Sequence, residues 1–400
     1  MTYGTGMAAL IGLALMLSAS AAPAQIKTTN QGVSDTQIVV GTHQVLTGPG
    51  GSAWGVPVAN GMKMAVEEIN AAGGINGRRI KLIIEDSGYD PKRAVLATQK
   101  LIDRDQIFSI IGPMGSPTVL AAQDLVLDAG VTQLFPLTAA EFTFKVDPAR
   151  PQDRLKFSNL LPYVESTRAA LKYVMEWKHY KNPCIMYQDD EYGKNVLDGF
   201  TQQLAAMKIK PGTETSYKRN ASDFSAQVAR MKVDGCDLVV LGTVVRETIG
   251  AMTEAKKTGW TVDFLGAGPT NVIEVPVLGK EAVEGLYAAA LFEIPYEDTA
   301  QGEVREWLAN YKKMFGTAAN TQAIIGYNTI ETFAFYARQA GRDLTGQNFL
   351  AALESGKEFH DIFGSPAVKF SPTNHLASSA TMVQQIQGGR WKVIQTGLMF

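Results

Sequence analysis

Ile107-Phe108-Ser109-Ile110-Ile111-Gly112-Pro113-Met114-Gly115-Ser116-Pro117-Thr118-Val119, running on to Gly130, is the stretch on which the fold turns. Phe108 to Gly112 is a short apolar run of the kind buried in a parallel sheet. Val119 to Asp128 has helical spacing that stops before Gly130. Between them, Ser116 suits the helix N-cap, Pro117 the first helical position, and Gly112 and Gly115 let a ligand approach the backbone. A helix N-terminus behind a strand end offers free N–H groups and partial positive charge, which suit a carboxylate or phosphate. The same residues also suit a helix cap with no further role, so the surrounding chain has to decide.

Outward from this stretch the pattern is strand, helix, strand. Gln37 to Val45, Ile80 to Ile84 and Val131 to Phe135 have strand character, and Val58 to Ala72 and Pro91 to Arg104 helical character. This predicts a doubly wound α/β sheet with ligand-facing loops at 46–54, 112–118 and 136–141. The same grammar repeats from Thr167 to Leu265, with rim loops at 189–193, 242–246 and 266–271. Helices at 301–315, 322–340 and 345–355 follow. The end is β, with strands expected at Val368 to Phe370, Thr381 to Ile386 and Trp391 to Gln395, the last two joined at Gly388-Gly389. Two α/β units are the expectation for a chain of 400 residues.

Residues 1–24 have the form of a secretory signal peptide, with an apolar run from Ala8 to Leu17 and an Ala22-Pro23-Ala24 cleavage site, although no Lys or Arg precedes the apolar run. No later segment is apolar for long enough to cross a membrane. Charge is balanced, 37 basic against 39 acidic residues without a basic cluster, which argues against nucleic acid. Cys184 and Cys236 each open an apolar run. If those runs are neighbouring parallel strands, a disulfide is expected in an oxidising compartment; two buried free thiols are the alternative.

Catalytic signatures are missing. No G-x-S-x-G, P-loop or G-x-G-x-x-G occurs, and the four histidines lack metal spacing, so neither enzyme, cofactor nor metal is expected. Asp189-Asp190-Glu191 is better explained as dipole complement ahead of a helix than as an acid/base pair.

In Leu46-Thr47-Gly48-Pro49, Gly61, the block Ala65-Val66-Glu67-Glu68-Ile69-Asn70-Ala71-Ala72-Gly73-Gly74-Ile75-Asn76-Gly77, Asp86, Asp90-Pro91, Ile111-Gly112, Tyr192-Gly193 and Asp223-Phe224-Ser225 followed by Gly242, the chain resembles the periplasmic substrate-binding proteins of the leucine/isoleucine/valine type that feed ABC importers. The block at 65–77 is the specific part of this match. The resemblance covers nearly all of the chain after the leader. It implies two lobes joined by three crossings, with 25–159 plus 288–366 in lobe one and 160–287 plus 367–400 in lobe two. It also implies a periplasmic, monomeric protein with a small-molecule ligand and a permease partner.

By the same resemblance Ser116 receives a ligand carboxylate, Tyr192 contacts the ligand, Trp54 covers the pocket and Thr138 offers a carbonyl. Apart from the resemblance, the positions of Met114 and Val244 suit apolar wall, Gly115 suits close approach to the backbone, and Arg246, at a helix start just after a strand end, suits either a second anion contact or a plain surface residue. Two positions depart from the amino-acid-binding pattern. Ala139 stands where the family has a threonine, and Gly266-Ala267-Gly268-Pro269 where it has the glutamate that pairs an α-ammonium. The expected ligand is therefore an aromatic or hydrophobic carboxylate without an α-amino group. The alternatives are a branched-chain or other amino acid, or a sensory module of the same fold.

Overall fold

The computed structural model describes residues 1–2, 26–48 and 51–399. The expected leader, apart from Met1 and Thr2, lies outside the described residues, as do Pro49 and Gly50 of the first rim loop. Two sheets organise the rest. In the first, β1 (Gln37–Gln44), β2 (Arg79–Asp86), β3 (Ser109–Ile111), β4 (Thr132–Leu134) and β5 (Lys156–Phe157) lie in the order β2-β1-β3-β4-β5, all parallel. Parallel neighbours need crossovers, and α1 (Val56–Ala71), α2 (Pro91–Asp103) and α3 (Ser116–Asp128) supply them.

The second lobe carries α4 (Tyr163–Lys178), then β6 (Pro183–Gln188), α5 (Glu191–Met207), β7 (Glu214–Tyr217), α6 (Ser225–Val233), β8 (Leu238–Gly242), α7 (Val245–Lys257), β9 (Asp263–Gly266) and the short α8 (Glu274–Gly279). With β10 (Tyr287–Ala290), β11 (Thr381–Gln387) and β12 (Arg390–Leu398) its strands form one sheet, ordered β12-β11-β10-β9-β8-β6-β7. The strands from β6 to β10 are parallel; β11 and β12 add an antiparallel hairpin at one edge. Because β6 and β8 are parallel neighbours, Cys184 and Cys236 meet and form a disulfide, with Cα atoms 5.8 Å apart.

The chain then returns to lobe one through α9 (Gly302–Phe315), α10 (Thr321–Gln339) and α11 (Gly346–Leu353). Helix α10 packs closely on α1 because both are glycine at the crossing. A Cβ on Gly61 would stand 2.0 Å from the Ala323 carbonyl oxygen, and one on Gly326 2.2 Å from that of Val58.

Three details differ from the expectations. Val368 to Phe370 is not a strand: Val368 makes one isolated antiparallel bridge to Phe359, while both side chains join the lobe-one core. The crossings fall later than residues 288 and 367. Strand β10 remains in the second sheet, and His375 and Leu376 still pair with Ser158 beside β5. Finally, Ser116 is the first residue of α3 and not its cap. Gly115 takes that place at φ 98°, and Thr118 turns its hydroxyl back to the Gly115 carbonyl at 2.9 Å.

Candidate functional site

In both sheets the loops beyond the carboxyl ends of the parallel strands face each other across a cleft of about 620 Å³. Seven of the expected residues line it: Trp54, Met114, Gly115, Ser116, Tyr192, Val244 and Arg246. Thr138, Ala139 and Gly268 do not. Thr138 is fully buried behind Ser116, and the two hydroxyl oxygens are 2.6 Å apart. Ala139 packs into the second lobe's core, its carbonyl accepting from the Tyr163 N–H at 3.1 Å. From the 266–269 loop it is Pro269 that reaches the wall.

Lobe one contributes backbone and rings. Ser116 and Thr118 are in the first turn of α3, where N–H groups have no intrahelical partner. Gly115 has no side chain because Tyr89 occupies the space: a Cβ there would lie 2.5 Å from the Tyr89 ring. Tyr89 itself sits at φ 61°, a left-handed conformation that a bulky residue adopts only when its surroundings enforce it. Burial raises its phenol pKa, so it remains a neutral hydroxyl at physiological pH.

Lobe two contributes charge. Asp190 caps α5, accepting from the N–H groups of Tyr192 at 3.1 Å and Gly193 at 3.4 Å, and takes the Gln188 amide N–H at 2.5 Å. Burial nonetheless pushes its carboxyl pKa up. Tyr192 is buried, donates its hydroxyl to the Thr243 carbonyl at 2.9 Å and packs edge-on against Tyr163, ring centres 4.9 Å apart.

Arg246 is turned away from an anion-binding role. Its guanidinium donates to Glu247 at 3.1 Å and to the Ala221 carbonyl at 3.2 Å. Glu247 is 4% exposed, and its other oxygen, Oε2, is buried without a hydrogen-bond partner among the described residues. Arg219 stands apart from these. It lines the cleft with a buried Nη1 that has no hydrogen-bond partner among the described residues, its charge helps hold the Asp190 carboxylate, and its guanidinium carbon lies 5.5 Å from the centre of the Tyr89 ring.

The lobes are in contact across the cleft. Gln188 donates to the Tyr89 hydroxyl at 3.3 Å, the Glu141 N–H donates to Asn195 at 3.2 Å, and Trp54 packs against the cores of both lobes. Tyr89, Tyr163, Gln188, Arg219 and Glu247 were not anticipated in the wall. A signal for most of them existed: the segments 87–90, 188–190 and 218–220 each follow a strand, and the strand-end rule applies to every strand of both sheets.

No group of three or more His, Cys, Asp or Glu among the described residues is arranged to hold a metal. A family profile described as periplasmic binding protein matches residues 37–390. The Leu/Ile/Val-binding protein BraC3 of Rhizobium johnstonii is 24% identical over 364 residues, which is 90% of this chain and 94% of that protein. The curated relatives as a group are matched over 60% to 94% of their own length. Among solved structures, a branched chain amino acid ABC transporter protein of Thermus thermophilus with bound valine superposes with a TM-score of 0.81 at 14% identity, over 92% of this chain and 98% of that one. A fatty acid ABC transporter substrate-binding protein of Thermomonospora curvata gives 0.81 at 20% identity, over 94% and 95%. These relatives are solute-binding proteins, not enzymes, and with the profile spanning most of the sequence, the chain belongs to the periplasmic binding protein family.

Proposed function

We propose that this protein, exported by the leader in residues 1–24 and monomeric, closes its lobes on a hydrophobic or aromatic carboxylate without an α-amino group and presents it to an ABC permease. One observation carries the reading. Of the charged side chains lining the cleft, Asp90, Arg219, Arg246 and Glu247, only Arg219 makes no hydrogen bond or ion pair among the described residues. A guanidinium with a buried, unpartnered N–H is matched by a carboxylate, which takes two parallel bonds from it. The surrounding Trp54, Tyr89, Tyr163 and Tyr192 give flat, largely apolar walls for the body of such a ligand.

No acid lies in the 266–269 loop, but the cleft does hold one, Glu247 on α7. Its buried, unpartnered Oε2 favours a second reading, an amino acid whose ammonium meets Glu247, in keeping with the names of several relatives. Against this, the Glu247 charge is already engaged by Arg246.

A thermal-shift panel of benzoate, phenylpropenoate and straight-chain monocarboxylates against leucine, isoleucine and valine separates the two. At about 100 times its dissociation constant a ligand stabilises by roughly 2.7 kcal/mol. Stabilisation by the amino-free acids is the expected result. Stabilisation by leucine, isoleucine or valine alone assigns the protein to amino acids.

A further inference from the structure

The three crossings between the lobes meet at a small space that shares no lining residue with the cleft. A cavity of about 30 Å³ is lined by Asn159 and Leu160 from the first crossing, Leu291 and Phe292 from the second, and Ala377 and Ser378 from the third. Its lobe-one floor includes Asn328 on α10 and Asp361 and Ser365 from the loop after α11. Three polar atoms of these residues are buried with no partner among the described residues: Asn159 Oδ1, Asn328 Oδ1 and Ser365 Oγ. Their orientation follows from other bonds. Asn328 gives its amide N–H to the Asp361 carboxylate, which leaves Oδ1 as the free end. Asp361 also receives the N–H groups of Phe363 at 2.8 Å and Ser365 at 3.1 Å, which fixes the loop that presents the Ser365 hydroxyl.

We propose that this cavity is a binding site for one structural water, which pins the first crossing to lobe one at the pivot of the hinge. The cavity has room for a water, which needs about 10–15 Å³ of such space, and the donor count closes for one. The water donates its two protons to the Asn159 and Asn328 amide oxygens and accepts the proton of the Ser365 hydroxyl. All three groups are then satisfied. Without such a partner each is a buried polar group that has lost its hydration with no bond in return. Asn159 belongs to a crossing, while Asn328 and Ser365 belong to the lobe. The water is therefore a joint between a moving strap and a fixed body, and it does not depend on which ligand the cleft takes.

The first test is a crystal structure of the native protein at about 1.5 Å resolution. One spherical density peak about 2.7–3.1 Å from all three atoms is expected. A dry cavity overturns the proposal. So does a cation, recognised by five or more oxygens at about 2.3–2.6 Å. The second is hydrogen exchange of ligand-free protein carrying Ser365→Ala. Loss of the joint should speed exchange of the backbone amides in 158–163 roughly 2- to 10-fold, the range that one neutral hydrogen bond commands. A purely local role for Ser365 would speed exchange in 361–366 and leave 158–163 unmoved, which would remove the hinge function.

Discussion

The two walls of the cleft are built by different means. Lobe one presents a helix N-terminus, a glycine forced to φ 98° and a tyrosine held at φ 61° above it. Lobe two presents most of the charged side chains in the wall, the Arg246–Glu247 pair and Arg219, with Asp190 capping α5 behind them. Lobe one adds only Asp90, which is bonded to the Arg93 N–H of its own helix, so on the proposed reading lobe one gives mainly shape and a weak, fixed dipole and lobe two selects the charge. The lobes also differ in what holds them together. A disulfide ties the starts of the neighbouring β6 and β8 runs of lobe two, whereas lobe one relies on helix packing at Gly61 and Gly326.

The disulfide gives the largest expected break in this comparison. Closing a loop of 52 residues between Cys184 and Cys236 is worth about 4 kcal/mol in the entropy model. The double substitution Cys184→Ala/Cys236→Ala should therefore lower the unfolding transition of lobe two and leave that of lobe one in place. Calorimetry that resolves the two lobes checks this; a uniform shift of both would mean that they unfold as one unit.

Acid should act the other way, on lobe one. His43 on β1 is 1% exposed, both ring nitrogens lack a partner among the described residues, and burial depresses its pKa from 6.5 to about 4. The proton is then bound more readily by the unfolded chain. The stabilising effect of the neutral imidazole is complete above pH 6.5 and is lost as pH falls towards 4, a total of about 3 kcal/mol at 1.36 kcal/mol per unit. Urea unfolding at pH 7.5 and pH 4.5 should show this loss in the native protein. His43→Gln should flatten the pH dependence over that window, and an unflattened profile would assign the acid sensitivity elsewhere.

A smaller effect sharpens the role of the lobe-one wall. Ser116 is not the cap of α3, so Ser116→Ala removes the hydroxyl contact to Thr138 and any bond to the ligand, but no cap. Stability of the ligand-free protein should fall by no more than about 1 kcal/mol, for the lost hydroxyl–hydroxyl bond, since Thr138 Oγ1 still accepts from the Ala140 N–H at 3.3 Å. If the ligand carboxylate rests mainly on backbone N–H groups, affinity should fall by no more than about 1.5 kcal/mol. A larger loss in calorimetric titration would make the Ser116 hydroxyl the main carboxylate contact.

Much of this architecture was legible because periodicity survives burial. The alternation of strands and helices from Gln37 to Leu265 and the terminal hairpin are in the structure within a few residues. The boundaries of the lobes were less legible. Val368 and Phe370 are apolar because they fill the lobe-one core, not because they pair in a sheet, and β5 is too short, at Lys156–Phe157, to leave a pattern. In the cleft, Gly115 and Ser116 were readable from the strand–turn–helix pattern, although the cap itself is Gly115, and Tyr192 from the family resemblance. Tyr89 and Arg219 lie in segments that the strand-end rule marks, but the rule picks segments and not side chains: Tyr89 depends on a left-handed backbone that its residue type disfavours, and Arg219 on the sheet order that sets the edge strand β7 beside the cleft.

On the proposed reading Arg219, and not Glu247, sets the charge of the ligand. Titration calorimetry of the native protein, Arg219→Gln and Glu247→Gln with phenylpropenoate and with leucine separates the two residues. Phenylpropenoate should bind the native protein and lose about 1.5–3 kcal/mol in Arg219→Gln, the range for a hydrogen bond to a charged group, and much less in Glu247→Gln. Tight binding of leucine that survives Arg219→Gln and is lost in Glu247→Gln would contradict that reading.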